Sequence, residues 1–197
     1  MTAADHHPPI VETVSIEETV QTRCWRSEAD TAACARALAA AMRAEPALRD
    51  SFIALHGDLG AGKTTFVRYL LRALGVTGRI KSPTYTVVEP HEAGADQAGP
   101  RWAAYHLDFY RFNDPREWDD AGLRDLYAAP GLKLAEWPDK AAGHLPAPDL
   151  ILRIETVDDD FRAVSFQAAS PRGRRLLTLM LTPAPDAPSA AASATPS

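Results

Sequence analysis

The stretch GDLGAGKTTF, residues 57–66, places glycine, lysine and hydroxyl side chains at the spacing GxxxxGK[ST]. Glycine lets the backbone turn tightly, so that successive amide N–H groups can face a polyphosphate without intervening side chains. The lysine ammonium can reach the terminal phosphates, and the threonine hydroxyl after it can bind the accompanying magnesium ion. We predict phosphate contacts from Gly57, Asp58, Leu59, Gly60, Ala61, Gly62, Lys63, Thr64 and Thr65.

The residues around this loop have the order strand, loop, helix that such a phosphate site requires. The short apolar run at 51–56 predicts a buried strand. Residues 65–74 carry apolar side chains at helical spacing, and Gly75 predicts the end of that helix. This order directs the partial positive charge of the helix N-terminus toward the phosphates.

Two acidic residues close apolar runs elsewhere in the chain. Asp108 stands near the end of a predicted strand at 102–109, and Glu136 ends one at 132–136. In doubly wound sheets the carboxyl ends of strands lie at the same edge as the glycine loop. We therefore predict Asp108 and Glu136 as magnesium ligands together with Thr64, and as catalytic residues together with Lys63. The sequence favours neither acid as the general base.

The remaining pattern alternates strands with helices. Ser27 is a predicted N-cap of a helix that continues to about Arg43. Further predicted strands and a helix lie at 84–89, 149–157, 162–167 and 171–181, with a polar loop at 90–100 joining the first of them to 102–109 as a hairpin. The predicted fold class is α/β, a three-layer sandwich of the P-loop NTPase type, with a largely parallel central sheet and antiparallel hairpin additions.

Length and composition bound the organisation of the chain. Its 197 residues are sufficient for one α/β domain, which we assign to residues 10–182. Residues 1–9 are polar and contain paired histidines, and residues 183–197 contain proline and small residues almost exclusively. Neither end can bury enough apolar surface to offset its ordering entropy, so both are predicted to be disordered.

Charge, hydropathy and cysteine content exclude several protein classes. The chain has no apolar run long enough to cross a membrane and no secretion-like start, so we expect a cytoplasmic protein. The net charge of −5 does not indicate a polyanionic partner. Solvated faces explain the basic clusters within residues 72–81 and 172–175 more simply than RNA contact, which is the alternative. Cys24 and Cys34 have no CxxC spacing, so neither a disulfide framework nor a zinc site is suggested.

The chain lacks the motif by which GTPases recognise guanine, and this bears on the identity of the nucleotide. GTPases of the usual type recognise guanine through NKxD, whereas the single asparagine here, Asn113, is not followed by lysine. We therefore predict ATP, with Mg²⁺, as the bound nucleotide. Trp137, beside Glu136, is a candidate for stacking near the nucleotide, and packing within the protein is an equal alternative.

Four ordered motifs together resemble a known family. GDLGAGKTTFVRYLLRALG at 57–75, KSPTYTVVEPH at 81–91, YHLDFYRF at 105–112 and AEWPDKAAGHLP at 135–146 are similar to the bacterial ATPase family TsaE, also called YjeE. The resemblance extends over roughly residues 15–181 and covers most of the predicted domain.

The resemblance implies more than the motifs do alone. TsaE proteins hydrolyse ATP slowly and serve tRNA threonylcarbamoyladenosine biosynthesis beside TsaB and TsaD, of which TsaD transfers the threonylcarbamoyl group. The family member binds that complex with ATP and supports its turnover, so contact with tRNA is expected to be indirect or weak. The matching positions here are Lys63 and Thr64 for phosphate and magnesium, Asp108 and Glu136 for the acids, and Thr84, within residues 82–84, for a switch near the γ-phosphate.

Two other function classes share the phosphate loop. A small-molecule kinase needs an arginine-bearing lid, and the loop at 90–100 is acidic and poor in arginine. A nucleotide-sensing adaptor that does not hydrolyse ATP needs neither Asp108 nor Glu136. Since no arginine finger is obvious apart from Arg111, we expect the isolated protein to be a slow ATPase.

Overall fold

The computed structural model describes residues 20–95, 99–114, 117–118, 122–158 and 161–182. The segments predicted to be disordered, 1–9 and 183–197, lie outside the described residues, as do residues 10–19 of the predicted domain. Among the helices in these described ranges, none has the length and apolar character that a membrane crossing requires.

The described elements largely follow the predicted order of strands and helices, with a strand at Val20–Trp25 and a helix at Leu123–Ala128 that sequence analysis did not predict. Their bounds are β1 Val20–Trp25, α1 Glu28–Ala44, β2 Phe52–His56, α2 Lys63–Ala73, β3 Val88–Ala93, β4 Trp102–Asp108, α3 Leu123–Ala128, β5 Leu132–Glu136, β6 Leu150–Thr156, β7 Arg162–Ala168 and α4 Pro171–Leu181. Short 3-10 helices at Pro46–Asp50 and Pro138–Ala141 precede β2 and follow β5.

All seven strands belong to one sheet, in the order β1-β7-β6-β2-β5-β4-β3. The four strands β6, β2, β5 and β4 run parallel to one another. Strand β7 pairs antiparallel with β6 and with β1 on one side, and β3 pairs antiparallel with β4 on the other. The prediction of an α/β fold with a largely parallel centre and antiparallel additions is therefore confirmed. Strand β2 lies in the middle of the sheet, so the loop that follows it leaves from the centre of the carboxyl edge.

Both faces of the parallel strands are covered, which explains why their sequences are almost continuously apolar. On β2, Ile53 and Leu55 face a core that contains residues of α1, α2 and α4. The alternate residues Phe52 and Ala54 face a second core, built from segments that include the chain after β4 and helix α3. The central strand is thereby fixed on both sides, and with it the position of the loop that follows.

The predicted strand at 84–89 is wrong in its bounds. Residues 84–86 form a turn, and the strand begins at Val88 after Val87 has adopted a left-handed backbone with φ 65°. The hydroxyls of Ser82 and Thr84 bond to Asp108, which holds the preceding segment in the turn. Pro90 is accommodated within β3 because β3 is an edge strand of the sheet.

Helix α4 is joined to the sheet through Asp149 and lies very close to it at Gly173. The Asp149 carboxylate accepts hydrogen bonds from the Phe52 amide at 2.9 Å and from the Ser170 hydroxyl at 2.5 Å. It thereby joins the start of β2 to the N-cap of α4. A Cβ at Gly173 would lie 1.8 Å from the Asp149 carbonyl oxygen, so no larger residue fits there without a shift of the helix.

Replacement Gly173→Ala is expected to lower the free energy of unfolding by about 1–3 kcal/mol, because the added methyl group overpacks the contact with Asp149. In a helix interior alanine is otherwise more stable than glycine by about 1 kcal/mol, so a net loss of stability must come from the packing contact. Urea unfolding followed by circular dichroism measures it. Gly99→Ala, where a Cβ meets no atom within 4 Å, is the matched control. Equal stability of the two variants would contradict the expectation.

Candidate nucleotide-binding site

The glycine loop occupies the turn between β2 and α2. Gly57 has φ 143°, and a Cβ placed on it would lie 2.4 Å from the carbonyl oxygen of Ile154 in β6. A residue with a side chain would therefore both strain the backbone and collide with the neighbouring strand. Helix α2 begins at Lys63, so the N–H groups of its first turn, which have no partner within a helix, lie beside the loop.

Lys63 is held by the loop that it follows. Its ammonium donates hydrogen bonds to the carbonyl oxygens of Gly57 at 2.6 Å and Asp58 at 2.8 Å. It also lies 3.9 Å from the centre of the Trp137 ring. Burial lowers the pKa of Lys63, and the carboxylates of Glu136, Asp108 and Asp58 oppose that shift. Since an ammonium has three donors, one remains for an anion in the cleft.

Thr64 and Glu136 connect the loop to the sheet. The Thr64 hydroxyl lies 2.8 and 2.9 Å from the two carboxylate oxygens of Glu136, to which it donates. A hydroxyl has one proton and two lone pairs, so this contact leaves the threonine oxygen able to bind a cation. Glu136 is 2% exposed, and its backbone pairs with that of Asp108 in the β4–β5 register. The two predicted acids thus end adjacent parallel strands.

His106 supports Glu136 from within the sheet. Its Nε2 lies 2.7 Å from the Glu136 carboxylate, and the His106 side chain is completely buried. When the carboxylate is ionised, this hydrogen bond requires the proton to be on Nε2. Sequence analysis missed His106, although its position two residues before Asp108 places both on one face of β4.

Asp108 holds the segment that precedes β3. Its carboxylate accepts hydrogen bonds from the hydroxyl of Ser82, from that of Thr84 at 2.7 Å and from the Tyr110 amide at 3.0 Å. The Val87 carbonyl in turn accepts from the Asp108 amide at 2.9 Å. The turn at 84–86 is therefore attached to the strand end that carries one of the predicted catalytic acids.

These groups converge on a cleft of about 340 Å³. Its walls are formed by Leu59, Gly60, Gly62, Lys63, Thr64, Thr65, Ser82, Thr84, Asp108, Tyr110, Glu136 and Trp137. The predicted loop residues Gly57, Asp58 and Ala61 are not among the lining residues. The carbonyl oxygens of Gly57 and Asp58 accept hydrogen bonds from the Lys63 ammonium, and Ala61 is buried. The Trp137 ring lies 5.1 Å from the Tyr110 ring, centre to centre, and covers the Lys63 ammonium.

A second cleft of about 350 Å³ lies on the other side of the loop, with Gly60, Gly62 and Thr65 common to both. It is lined further by Trp25, Arg26, Ser27, Glu28, Thr31, Ala61 and Arg162. Of these residues, sequence analysis predicted only Ala61 as part of the site. Nothing in the spacing of residues 25–31 connects them with Arg162, because antiparallel pairing of β1 with β7 brings them together.

Comparisons with known proteins agree with this geometry. The sequence profile of the family described as threonylcarbamoyl adenosine biosynthesis protein TsaE matches residues 25–164. The tRNA threonylcarbamoyladenosine biosynthesis protein TsaE of Haemophilus influenzae is 38% identical over 124 residues, covering 63% of this chain and 74% of that protein. The protein of the same name from Bacillus subtilis is 36% identical over 120 residues, covering 61% and 71%.

A solved structure shares the architecture. The crystal structure of YdiB from Bacillus subtilis superposes with a TM-score of 0.66 at 25% sequence identity, over 84% of this chain and 97% of that one. The similarity extends beyond the motifs to most of the sheet and its helices.

Replacement Asp108→Asn is expected to accelerate amide hydrogen exchange in residues 82–87 by roughly fivefold, because a neutral amide accepts hydrogen bonds more weakly than a carboxylate. Exchange followed by mass spectrometry measures this effect. Asp139→Asn is the control, since the Asp139 carboxylate is exposed and contacts His56 instead. Exchange rates unchanged from those of the parent chain would show that Asp108 does not hold the segment.

Proposed function

The chain belongs to the TsaE family of tRNA threonylcarbamoyladenosine biosynthesis, and we propose that in this process it is a cytoplasmic, magnesium-dependent ATPase. The observation that carries the proposal is the contact of Thr64 with Glu136, beside the ammonium of Lys63. It unites a phosphate-binding lysine, a hydroxyl with free lone pairs and a buried carboxylate in one cleft. That combination serves the binding of a nucleoside triphosphate with its metal ion.

The triphosphate is proposed to follow the loop from one cleft to the other. The first-turn amides of α2 and the Lys63 ammonium supply positive charge for the β and γ phosphates. The second cleft, which begins at Gly60 and Thr65, offers space for the nucleoside. Polar residues line it, among them Arg26, whose side chain could contact the ribose or the base.

The donor set near Thr64 fits magnesium. Mg²⁺ prefers oxygen ligands and retains several waters, and the cleft presents the Thr64 hydroxyl together with the carboxylates of Glu136 and Asp108. We assign Thr64 as a direct ligand and Glu136 to the surrounding shell, with Asp108 beside it. An ion held there would supply positive charge that offsets the negative charge developing on the phosphates.

Hydrolysis is proposed to depend on Asp108 and the segment that it holds. Ser82 and Thr84 line the cleft and bond to Asp108, so the three residues can orient a water molecule at the γ-phosphate. A loose phosphoryl transition state needs such orientation more than proton removal. The Arg111 guanidinium lies 4.2 Å from the Tyr85 ring and outside the wall of this cleft, which supports a slow intrinsic rate.

Partner proteins of the TsaB and TsaD type are proposed to complete the activity. The family to which the chain belongs implies that ATP is consumed to support their turnover, with contact to tRNA indirect or weak. An arginine supplied by a partner would stabilise charge that the isolated site leaves uncompensated.

Two substitutions separate nucleotide binding from hydrolysis. Lys63→Ala is expected to weaken ATP binding by roughly ten- to a hundredfold, because a charge-assisted hydrogen bond is lost. Glu136→Gln is expected to preserve ATP affinity within about threefold and to slow hydrolysis by at least about tenfold. Calorimetry and phosphate release measure the two effects, and Lys140→Ala, an exposed lysine outside the cleft, is the control. Normal turnover in Glu136→Gln would refute its assigned role.

Addition of the cognate TsaB- and TsaD-type proteins is expected to raise the rate of phosphate release several-fold, with saturation as partner concentration increases. The Lys63→Ala chain with the same partners is the control and should remain inactive. Label transfer from ATP to a small acceptor would instead show a kinase. ATP binding without phosphate release, with the partners present, would show a non-hydrolysing adaptor.

A further inference from the structure

The β3–β4 hairpin brings Glu89, His91 and His106 to one face of the sheet. Glu89 pairs directly with His106 in the antiparallel register, and His91 lies two residues beyond Glu89 on the same face. One ligand atom from each side chain can be chosen so that all three atoms lie within 4.8 Å of one another. The cluster is separate from the glycine loop. His106 connects it to the cleft beside Thr64, because it contacts the Glu136 carboxylate that lines that cleft.

Two ring nitrogens of this cluster lack hydrogen bonds. His91 Nε2 and His106 Nδ1 are both buried without a partner among the described residues. His106 is completely buried, and its Nε2 is already committed to the Glu136 carboxylate, so Nδ1 carries a free lone pair. A buried polar atom without a partner has lost its hydrogen bonds to water without replacement, so the arrangement favours a ligand at these nitrogens.

We propose that Glu89, His91 and His106 form a binding site for a zinc ion. Two neutral imidazoles and one carboxylate are a ligand set that zinc accepts, with a fourth position left for water. Magnesium disfavours such a set because it prefers oxygen ligands. This cluster therefore differs from the cleft in its ligand atoms, which are two imidazole nitrogens and one carboxylate oxygen.

The side chains can close around the ion. Ligand atoms about 2.0–2.2 Å from zinc in a tetrahedron stand roughly 3.3 Å apart, so the cluster needs only small side-chain rotations. Glu89 and His91 are half-buried on an edge strand, which permits those rotations and gives solvent access. Burial lowers the pKa of His91. Nearby, the Glu89 carboxylate favours positive charge and the Arg72 guanidinium opposes it.

Zinc at His106 Nδ1 would hold the proton on Nε2, directed at Glu136. A ligating histidine commonly donates its other N–H group to a carboxylate, and here that carboxylate is the one that contacts Thr64. The zinc site would therefore fix the orientation of Glu136. Its existence does not depend on ATP hydrolysis.

The test is a zinc titration of the untagged, full-length, nucleotide-free protein, in competition with a chromogenic chelator and with excess Mg²⁺ to suppress binding in the cleft. A single tight equivalent of zinc is expected. Glu89→Gln and His91→Gln should each weaken zinc binding by at least roughly tenfold. Cobalt substitution should give visible absorption typical of tetrahedral coordination, which His91→Gln should abolish.

Matched controls define the outcome. His144→Gln changes an exposed histidine elsewhere, and the double variant His6→Gln/His7→Gln removes the paired N-terminal histidines. Both should bind zinc as the parent chain does. Circular dichroism checks folding, and if His91→Gln does not fold, Glu89→Gln decides. The proposal is overturned if the parent chain does not bind zinc, if the cluster variants bind it normally, or if only the N-terminal variant loses it.

Discussion

The hydrogen bond between Thr64 and Glu136 is the constraint on which the site depends. It joins the first turn of α2 to the end of β5, and His106 holds the same carboxylate from β4. One buried acid, Glu136, therefore connects helix α2, which follows the glycine loop, with strands β5 and β4. Hydrogen bonds are stronger in the low-dielectric interior than in water, so these contacts also favour one relative position of the elements that they join.

Asp108 extends this arrangement to the neighbouring strand. The two acids are paired in register, yet their partners differ, because Glu136 contacts the loop and Asp108 contacts the segment before β3. The proposed division of roles, with Glu136 near the metal ion and Asp108 near the attacking water, rests on this difference. The edge of the sheet therefore places the two carboxylates side by side and also gives each of them different partners.

Local signals predicted most of the architecture. Apolar runs and capping residues such as Ser27 and Ser170 indicated the central strands and the helices α1, α2 and α4 within a few residues. The prediction failed at 84–89, where β-branched and aromatic residues suggested a strand and contacts with Asp108 instead hold a turn. Strand β1 was missed because VQTRCW lies on an edge and is mostly polar or exposed, without a buried apolar alternation.

The sequence by itself determined the groups that are close along the chain: the glycine loop, Lys63, Thr64 and an acid at the end of each of two apolar strands. Only the tertiary structure decided which acid meets which partner, because sheet order and register place residues far apart in sequence beside one another. The second cleft and the Glu89–His91–His106 cluster arise in the same way. Periodicity identifies the face on which a side chain lies, whereas strand pairing determines what lies opposite it.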